Sequence, residues 1–393
     1  MLGAHSSSTL TVDWRNRRFR GLRVSKVGNQ SYVNKCLVVA TCIEARVPVI
    51  LWGAPGQGKT SVLRSFADQA GRKLEIILAS IREPQDFAGL PAISNGSMSL
   101  IPPNWAQSLA ADGNGILFAD EINTAPPSVQ AALLRVCLEK VAGDLHLGDR
   151  TSIVAAANPP EIAADGWDLA APLANRFCHV DWELPADVVA DGFLGNWPTI
   201  TLPKVEQEKV ELETEKEAWK LSAFLVSRPK LVTDMPESTG QQGRAFPTPR
   251  SWEMVLKLVG LANALELEPE IRRLLVVGCV GQGAGSEYLT FREQQDLPDP
   301  EAIIADPENF VLPKRPDKLY AICGALMSAL SNDISGDRWH NVGKFVLRLS
   351  QLGHHDMAVS LMLQWKKVAP PGAMNSPAIN QALKPLLVKA GII

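Results

Sequence analysis

The chain has 393 residues, 46% hydrophobic and 21% charged, which is enough for roughly two or three globular units. Its 29 Gly and 28 Pro are ordinary globular usage, and no biased tract points to disorder or a fibrous repeat. Thirty-nine Lys and Arg against 42 Asp and Glu leave a net charge of −3, so no overall field draws the chain to nucleic acid or to an anionic membrane.

Residues 1–24 form an arm with one basic cluster, Arg15, Arg17, Arg18 and Arg20, read as a solvated edge. It lacks an apolar signal core, and no apolar run in the chain approaches the roughly 18 residues that span a bilayer. Membrane insertion is therefore not expected. Cys36, Cys42, Cys137, Cys178, Cys279 and Cys323 are scattered among apolar neighbours without a CxxC pair. That usage predicts buried free thiols in a reducing compartment, with the cytoplasm as the address. The six histidines include no HExxH, so no protein-built metal cage is expected.

Next come short apolar runs rich in β-branched residues, at 49–52, 74–79, 116–119, 153–157 and 178–182. Helical patterns such as 60–70 and 128–137 separate them. Strands apolar on both faces, alternating with helices, predict an α/β fold with a five-stranded, mostly parallel sheet covered on both sides. This α/β core is assigned to residues 25–185.

Two interruptions break the alternation. Residues 80–114 carry too many Gly and Pro for one helix and predict a projecting hairpin with a helical flank, and 140–150 reads as a small hairpin around Gly143-Asp144. Beyond 185 helical patterns dominate. A charged segment at 204–220 reads as a solvated helix face, and 251–265 and 271–280 have apolar spacing suited to a small bundle, so that 186–295 reads as a helical lid. Residues 296–317, with five prolines, read as a linker. Helices at 319–330, 342–352, 356–365 and 378–390 would then form a C-terminal helical region, 318–393.

The run Gly53, Ala54, Pro55, Gly56, Gln57, Gly58, Lys59 and Thr60, continued by Ser61, matches GxxxxGK[ST] between a strand and a helix. Glycines let backbone N–H groups converge on an anion, and the helix N-terminus adds positive partial charge. Lys59 would reach the β and γ phosphates of ATP, and Thr60 would offer its hydroxyl to Mg²⁺. Asp120 and Glu121 follow a buried strand, at the sheet edge where open α/β folds bind ligands. Asp120 would help to hold Mg²⁺, and Glu121 would orient and deprotonate the attacking water. Capping of the next helix is the other use of such a pair. Asn158 ends the run 153–157 and would bond the γ phosphate or the water, or simply start a turn before Pro159.

The order of these parts resembles an AAA+ ATPase. The fifteen residues 120–134, DEINTAPPSVQAALL, resemble the MoxR family of the helix-2-insert clade. The likeness runs from Val27 and Gly28, similar to the family's adenine-side entry, through Asn158 to Asn175-Arg176-Phe177. It continues in residues 246–252, FPTPRSW, which look like the lid motif. The resemblance implies that Arg176 is an arginine finger for a neighbouring subunit's nucleotide and Arg250 the lid arginine on the γ phosphate. It implies a homo-oligomeric ring, most simply a hexamer, and makes 80–114 the helix-2 insert and the small hairpin the one before the first sensor. It also implies a Mg²⁺-dependent ATP-hydrolysing motor that remodels a partner protein, one with a von Willebrand factor A domain. The chain departs from the family at Asn175, where Asp is common, at Thr124, where Arg is usual, and at Arg135, where an acidic residue is common. A nucleic-acid motor and an ATP-holding switch are the alternatives. The acidic balance counts against the first, and the intact Glu121 and Arg176 against the second.

Overall fold

The structure is a computed structural model that describes residues 23–24, 29–94, 97–159, 167–195, 197–198, 200–202, 204–293 and 298–371, together with 381, 384–385 and 388. Most of the arm, Val27, Gly28 and most of the expected helix 378–390 lie outside the described residues. The chain divides into two compact units. One takes residues up to 210 and 230–287, the other 211–229 and 288 onward.

The first unit opens with β1 (Arg23–Val24) and α1 (Gln30–Glu44), whose N-cap Asn29 accepts the Tyr32 N–H at 3.1 Å. Then come β2 (Val49–Trp52), α2 (Lys59–Ala70) and β3 (Leu74–Leu78). The first interruption contains α3 (Gln85–Ala88), the antiparallel hairpin β4 (Leu90–Ser94) and β5 (Ser97–Ile101), and α4 (Asn104–Asp112). After it follow β6 (Ile116–Asp120), α5 (Pro127–Glu139), a second antiparallel hairpin of β7 (Val141–Ala142) and β8 (Leu145–His146), β9 (Ser152–Ala157), α6 (Ala171–Ala174) and β10 (Cys178–Asp181). Five strands form one parallel sheet in the order β10-β2-β9-β6-β3.

The reason is visible in the burial. All residues of β2 and β9 are buried, and β6 is buried up to Asp120, the first residue to emerge. Such strands need cover on both faces, which only a sheet with helices on each side supplies. Ile50, Trp52, Leu117 and Ala119 share a core with Leu133 and Val136 of α5 and with Phe177.

Beyond the sheet lie α7 (Ala186–Phe193), β11 (Ile200–Thr201) paired with β1, and α8 (Gln207–Ser227). They are followed by α9 (Thr239–Gln242), α10 (Pro249–Ala264), α11 (Pro269–Val280) and α12 (Gln282–Glu293). The stretch 186–295 does not fold as one lid: α10 and α11 pack together, and against α1, in the sheet's own unit. Gly278 lets α11 lie close against β10, since a Cβ there would stand 2.6 Å from the His179 carbonyl oxygen and 2.8 Å from Cys178 Sγ.

The second unit holds α13 (Pro300–Ala305), α14 (Pro316–Asn332), α15 (Gly336–Gln351) and α16 (His355–Lys367), with residues 211–227 of α8. Its core includes Trp219, Leu326, Phe345 and a stacked pair, Trp339 and Trp365, whose ring centroids are 4.0 Å apart. Two expectations are corrected here. The segment 296–317 is not a plain linker: Asp299 caps α13, Pro300 stands at its first position, and Ile303 and Ile304 are buried. The charged segment 204–220 is not wholly a solvated face either, because Glu217 is fully buried beside Tyr288 and Arg292. No helix among the described residues is long and apolar enough to cross a membrane.

Candidate active site

The phosphate-loop residues leave β2 at the C-terminal edge of the sheet and run straight into α2. Gly53 continues the ladder, its N–H donating to the Ala157 carbonyl at 3.1 Å, and a Cβ there would meet the Trp182 carbonyl oxygen at 2.4 Å. Gly56 and Gly58 have φ of +78° and +69°, the left-handed region that glycine enters without steric cost. Gly58 caps α2 with no side-chain bond to the first-turn amides, which suits an anion at that terminus. Gln57, half-exposed in the loop, is tied from both ends: its carbonyl accepts Trp182 Nε1–H and its Oε1 accepts the Leu184 N–H, each at 2.9 Å. Ala54 is half-buried, Pro55 and Ser61 are exposed, and Thr60 is half-buried in the first turn of α2.

Lys59 is buried, and its Nζ donates to the Gly53 carbonyl at 2.5 Å and to Asn158 Oδ1 at 3.5 Å. Burial lowers its pKa, and the charges of Asp120 and Glu121 oppose that fall. Asp120 is pushed up by burial, against the Glu121 N–H and the Lys59 ammonium, which favour its charged form. Its Oδ1 accepts the Glu121 N–H at 2.9 Å. The structure thus brings Lys59, Asp120, Glu121 and Asn158 to one edge. A glycine cradle, a buried ammonium and two carboxylates fit a polyphosphate with its divalent cation.

Glu121 lies at φ +55°, a conformation that non-glycine residues hold only when the surroundings impose it. Here the Ile122 N–H donates to the Ala156 carbonyl at 3.0 Å, and Thr124 Oγ1–H donates to the Glu121 carbonyl at 2.8 Å. The Thr124 departure is thus a local turn bond, and Arg135 pairs with Glu139 one helical turn on. Two residues missed in the sequence complete the group. Ser80 Oγ–H donates to Glu121 Oε2 at 2.8 Å, and buried Asn123 makes a reciprocal pair with the Asn158 backbone, Nδ2–H to O at 2.8 Å and N–H to Oδ1 at 3.1 Å. Ser80 became legible only with the sheet order, which sets Leu78 of β3 opposite Asp120 of β6.

Arg176 and Arg250 stand elsewhere, next to one another. Arg176 follows α6 at the N-terminal end of β10, whereas the phosphate loop meets the chain at Trp182, past the other end of that strand. The four residues of β10, roughly 13 Å of strand, lie between the two. Arg176 Nη1–H donates to the Pro172 carbonyl, and its Nε is buried without a hydrogen-bond partner. Burial, and then the charge of Arg250, lower its pKa. Asn175 stitches the two together: its Nδ2–H donates to the Phe246 carbonyl at 3.1 Å, and its Oδ1 accepts Thr248 Oγ1–H at 2.7 Å. An aspartate could not supply the first of these bonds. Thr248 in turn caps α10, where Arg250 is exposed in the first turn.

Residues 48–177 match the AAA domain family, dynein-related subfamily. Over 130 residues the chain is 28% identical to the "pathogenicity locus probable regulatory protein WtsA" of Pantoea stewartii subsp. stewartii. That match spans 31% of this chain and 40% of the relative. A crystal structure of a "putative ATPase" from Cytophaga hutchinsonii superposes with a TM-score of 0.41 at 16% identity, covering 69% of this chain and 90% of that one. A full-length MCM homolog from Methanopyrus kandleri gives 0.39 at 16% identity, covering 67% and 56%. The sheet order, the phosphate loop and the matched domain together make this a P-loop AAA+ α/β fold followed by a helical C-terminal region.

Proposed function

We propose that the chain is a Mg²⁺-dependent ATPase of MoxR type whose turnover drives the remodelling of a partner protein. The observation that carries the reading is the buried Lys59, set between the glycine cradle and Asn158 and facing the charges of Asp120 and Glu121. Loop amides 53–58 and Lys59 would hold the β and γ phosphates, with Ser61 beside them on α2. Thr60 and Asp120 would hold Mg²⁺, which when bound neutralises charge on the phosphate oxygens. Glu121, with Oε2 held by Ser80, orients the attacking water and takes its proton. Asn158, fixed by Asn123, lines the same edge.

The trajectory of β10 keeps Arg176 away from its own phosphate loop. Arg176 therefore serves the nucleotide of a neighbouring subunit, where charge builds on the transferring phosphoryl group, and Arg250 acts as the lid arginine on the γ phosphate. A heterologous contact of this kind closes as a ring, taken here as a hexamer. The resemblance in residues 120–134 supports a chaperone-like motor whose partner carries a von Willebrand factor A domain.

The test is steady-state ATP hydrolysis per subunit as protein concentration rises, with Glu121→Gln as the blank. The expected result is a rate that climbs with concentration, vanishes in Glu121→Gln and in Arg176→Ala, and persists as nucleotide binding in both. A rate independent of concentration down to the monomer would sink the shared site, and full turnover in Glu121→Gln would remove that residue as the base.

A further inference from the structure

Trp52 is the last residue of β2 and directly precedes Gly53. Its Nε1–H donates to His179 Nδ1 at 2.9 Å, and the two rings lie within 11° of parallel. A ring nitrogen that accepts a hydrogen bond carries no proton, so the neutral imidazole holds its hydrogen on Nε2. Nε2 faces the Ala174 carbonyl at 3.0 Å and therefore donates to it. The same carbonyl accepts the Phe177 N–H at 3.1 Å, closing the turn 174–177 that presents Arg176. Burial pushes the His179 imidazole down to about 4, with Arg244 reinforcing the shift and the Ala174 carbonyl and Asp181 opposing it. The ring stays neutral at ordinary pH. Arg244 also covers the Trp52 ring, 4.0 Å from its centroid, and is ion-paired to Asp181 at 3.0 Å.

We propose that Trp52 and His179 are positioning residues for the arginine pair: the indole N–H selects the His179 tautomer that clamps the Ala174 carbonyl, and this clamp fixes the turn from which Arg176 reaches the neighbouring subunit. The inference rests on the reading that Arg176 acts in trans. It links the residue at the base of one subunit's phosphate loop to the arginine that the same subunit lends to the next.

The experiment uses full-length Trp52→Phe, which keeps the ring and its contact with Arg244 but removes the donor, mixed with excess Glu121→Gln subunits. Those subunits supply intact arginines and no turnover. Alone, Trp52→Phe is expected to lose about 5-fold or more in kcat while its affinity for a fluorescent ATP analogue stays within about 2-fold. Mixed, it should regain most of the wild-type rate per Trp52→Phe subunit, because its phosphate loop now faces a correctly held Arg176. Undiminished kcat, or a loss that the Glu121→Gln subunits do not relieve, overturns the proposal; the latter would mean that Trp52 serves its own loop. Arg176→Ala mixed in the same way is the control. If it too is not relieved, the trans reading itself falls. Should Trp52→Phe not fold, His179→Gln and His179→Phe carry the test. The first retains an amide donor for Ala174 and should keep most of its rate, whereas the second should lose it and be relieved in the mixture; equal rates in the two would overturn the clamp.

Discussion

Glu121, the proposed base, shows how neighbours can hold a single residue in place. Its left-handed backbone is a cost of order 1–3 kcal/mol that the surrounding structure must impose. Bonds from Ile122 and Thr124 hold that backbone, while Ser80 fixes the carboxylate. Ser80→Ala should leave nucleotide affinity unchanged and lower kcat by about 5-fold, the equivalent of one hydrogen bond of about 1 kcal/mol. Turnover that is equal or higher, measured at saturating ATP, would mean that Ser80 does not orient the base. Asn175 makes a second point at this scale. The departure from the usual aspartate reflects a need for a donor and an acceptor on one short side chain, so that the turn of Arg176 and the cap of α10 form a single hydrogen-bonded piece.

At the scale of elements, the five strands were legible because burial on two faces leaves β-branched runs that no amphipathic helix would show, and both hairpins because glycines and prolines interrupt the helical pattern. Boundaries shifted by a residue or so, as at β9, which begins at Ser152. The phosphate loop was legible to the residue, since its glycines answer to fixed backbone geometry. What could not be read was adjacency. Sequence spacing says nothing of which strand lies beside β6, and so hid Ser80. Nor does it say that the start of α10 lies against the end of α6, and so hid the pairing of Arg176 with Arg250. The helix α13 was hidden because proline counts argued against it, although a proline at the first helical position is favourable. The α11–β10 contact gives an element-scale prediction. Gly278→Ala gains about 1 kcal/mol of helix propensity but drives a methyl group into the His179 carbonyl, an overpacking loss of about 1–3 kcal/mol. The thermal midpoint should therefore fall, by calorimetry or circular dichroism, and a rise would show that α11 can back away from β10 at little cost.

The two compact units have different organising principles. One is built on a sheet whose polar edge carries the proposed site. The other is helical and holds a largely buried ion pair, Glu217 with Arg292 at 2.9 Å, joined by the Tyr288 hydroxyl. Glu217→Ala would leave the largely buried Arg292 guanidinium without its countercharge, which costs about 3–5 kcal/mol in such sites. Amide exchange in residues 316–367 should accelerate in that variant, while protection of the strands within 49–181 is retained. Unchanged exchange in the helices would show that solvent takes over the role of the carboxylate.

The proposed lending of Arg176 to a neighbouring subunit has a genetic consequence. On that proposal a lesion at position 176 is suffered by the neighbour rather than by the molecule that carries it. In a cell expressing two alleles, such a change would spoil sites encoded by the healthy copy, and it would be dominant in proportion to how freely the two products mix.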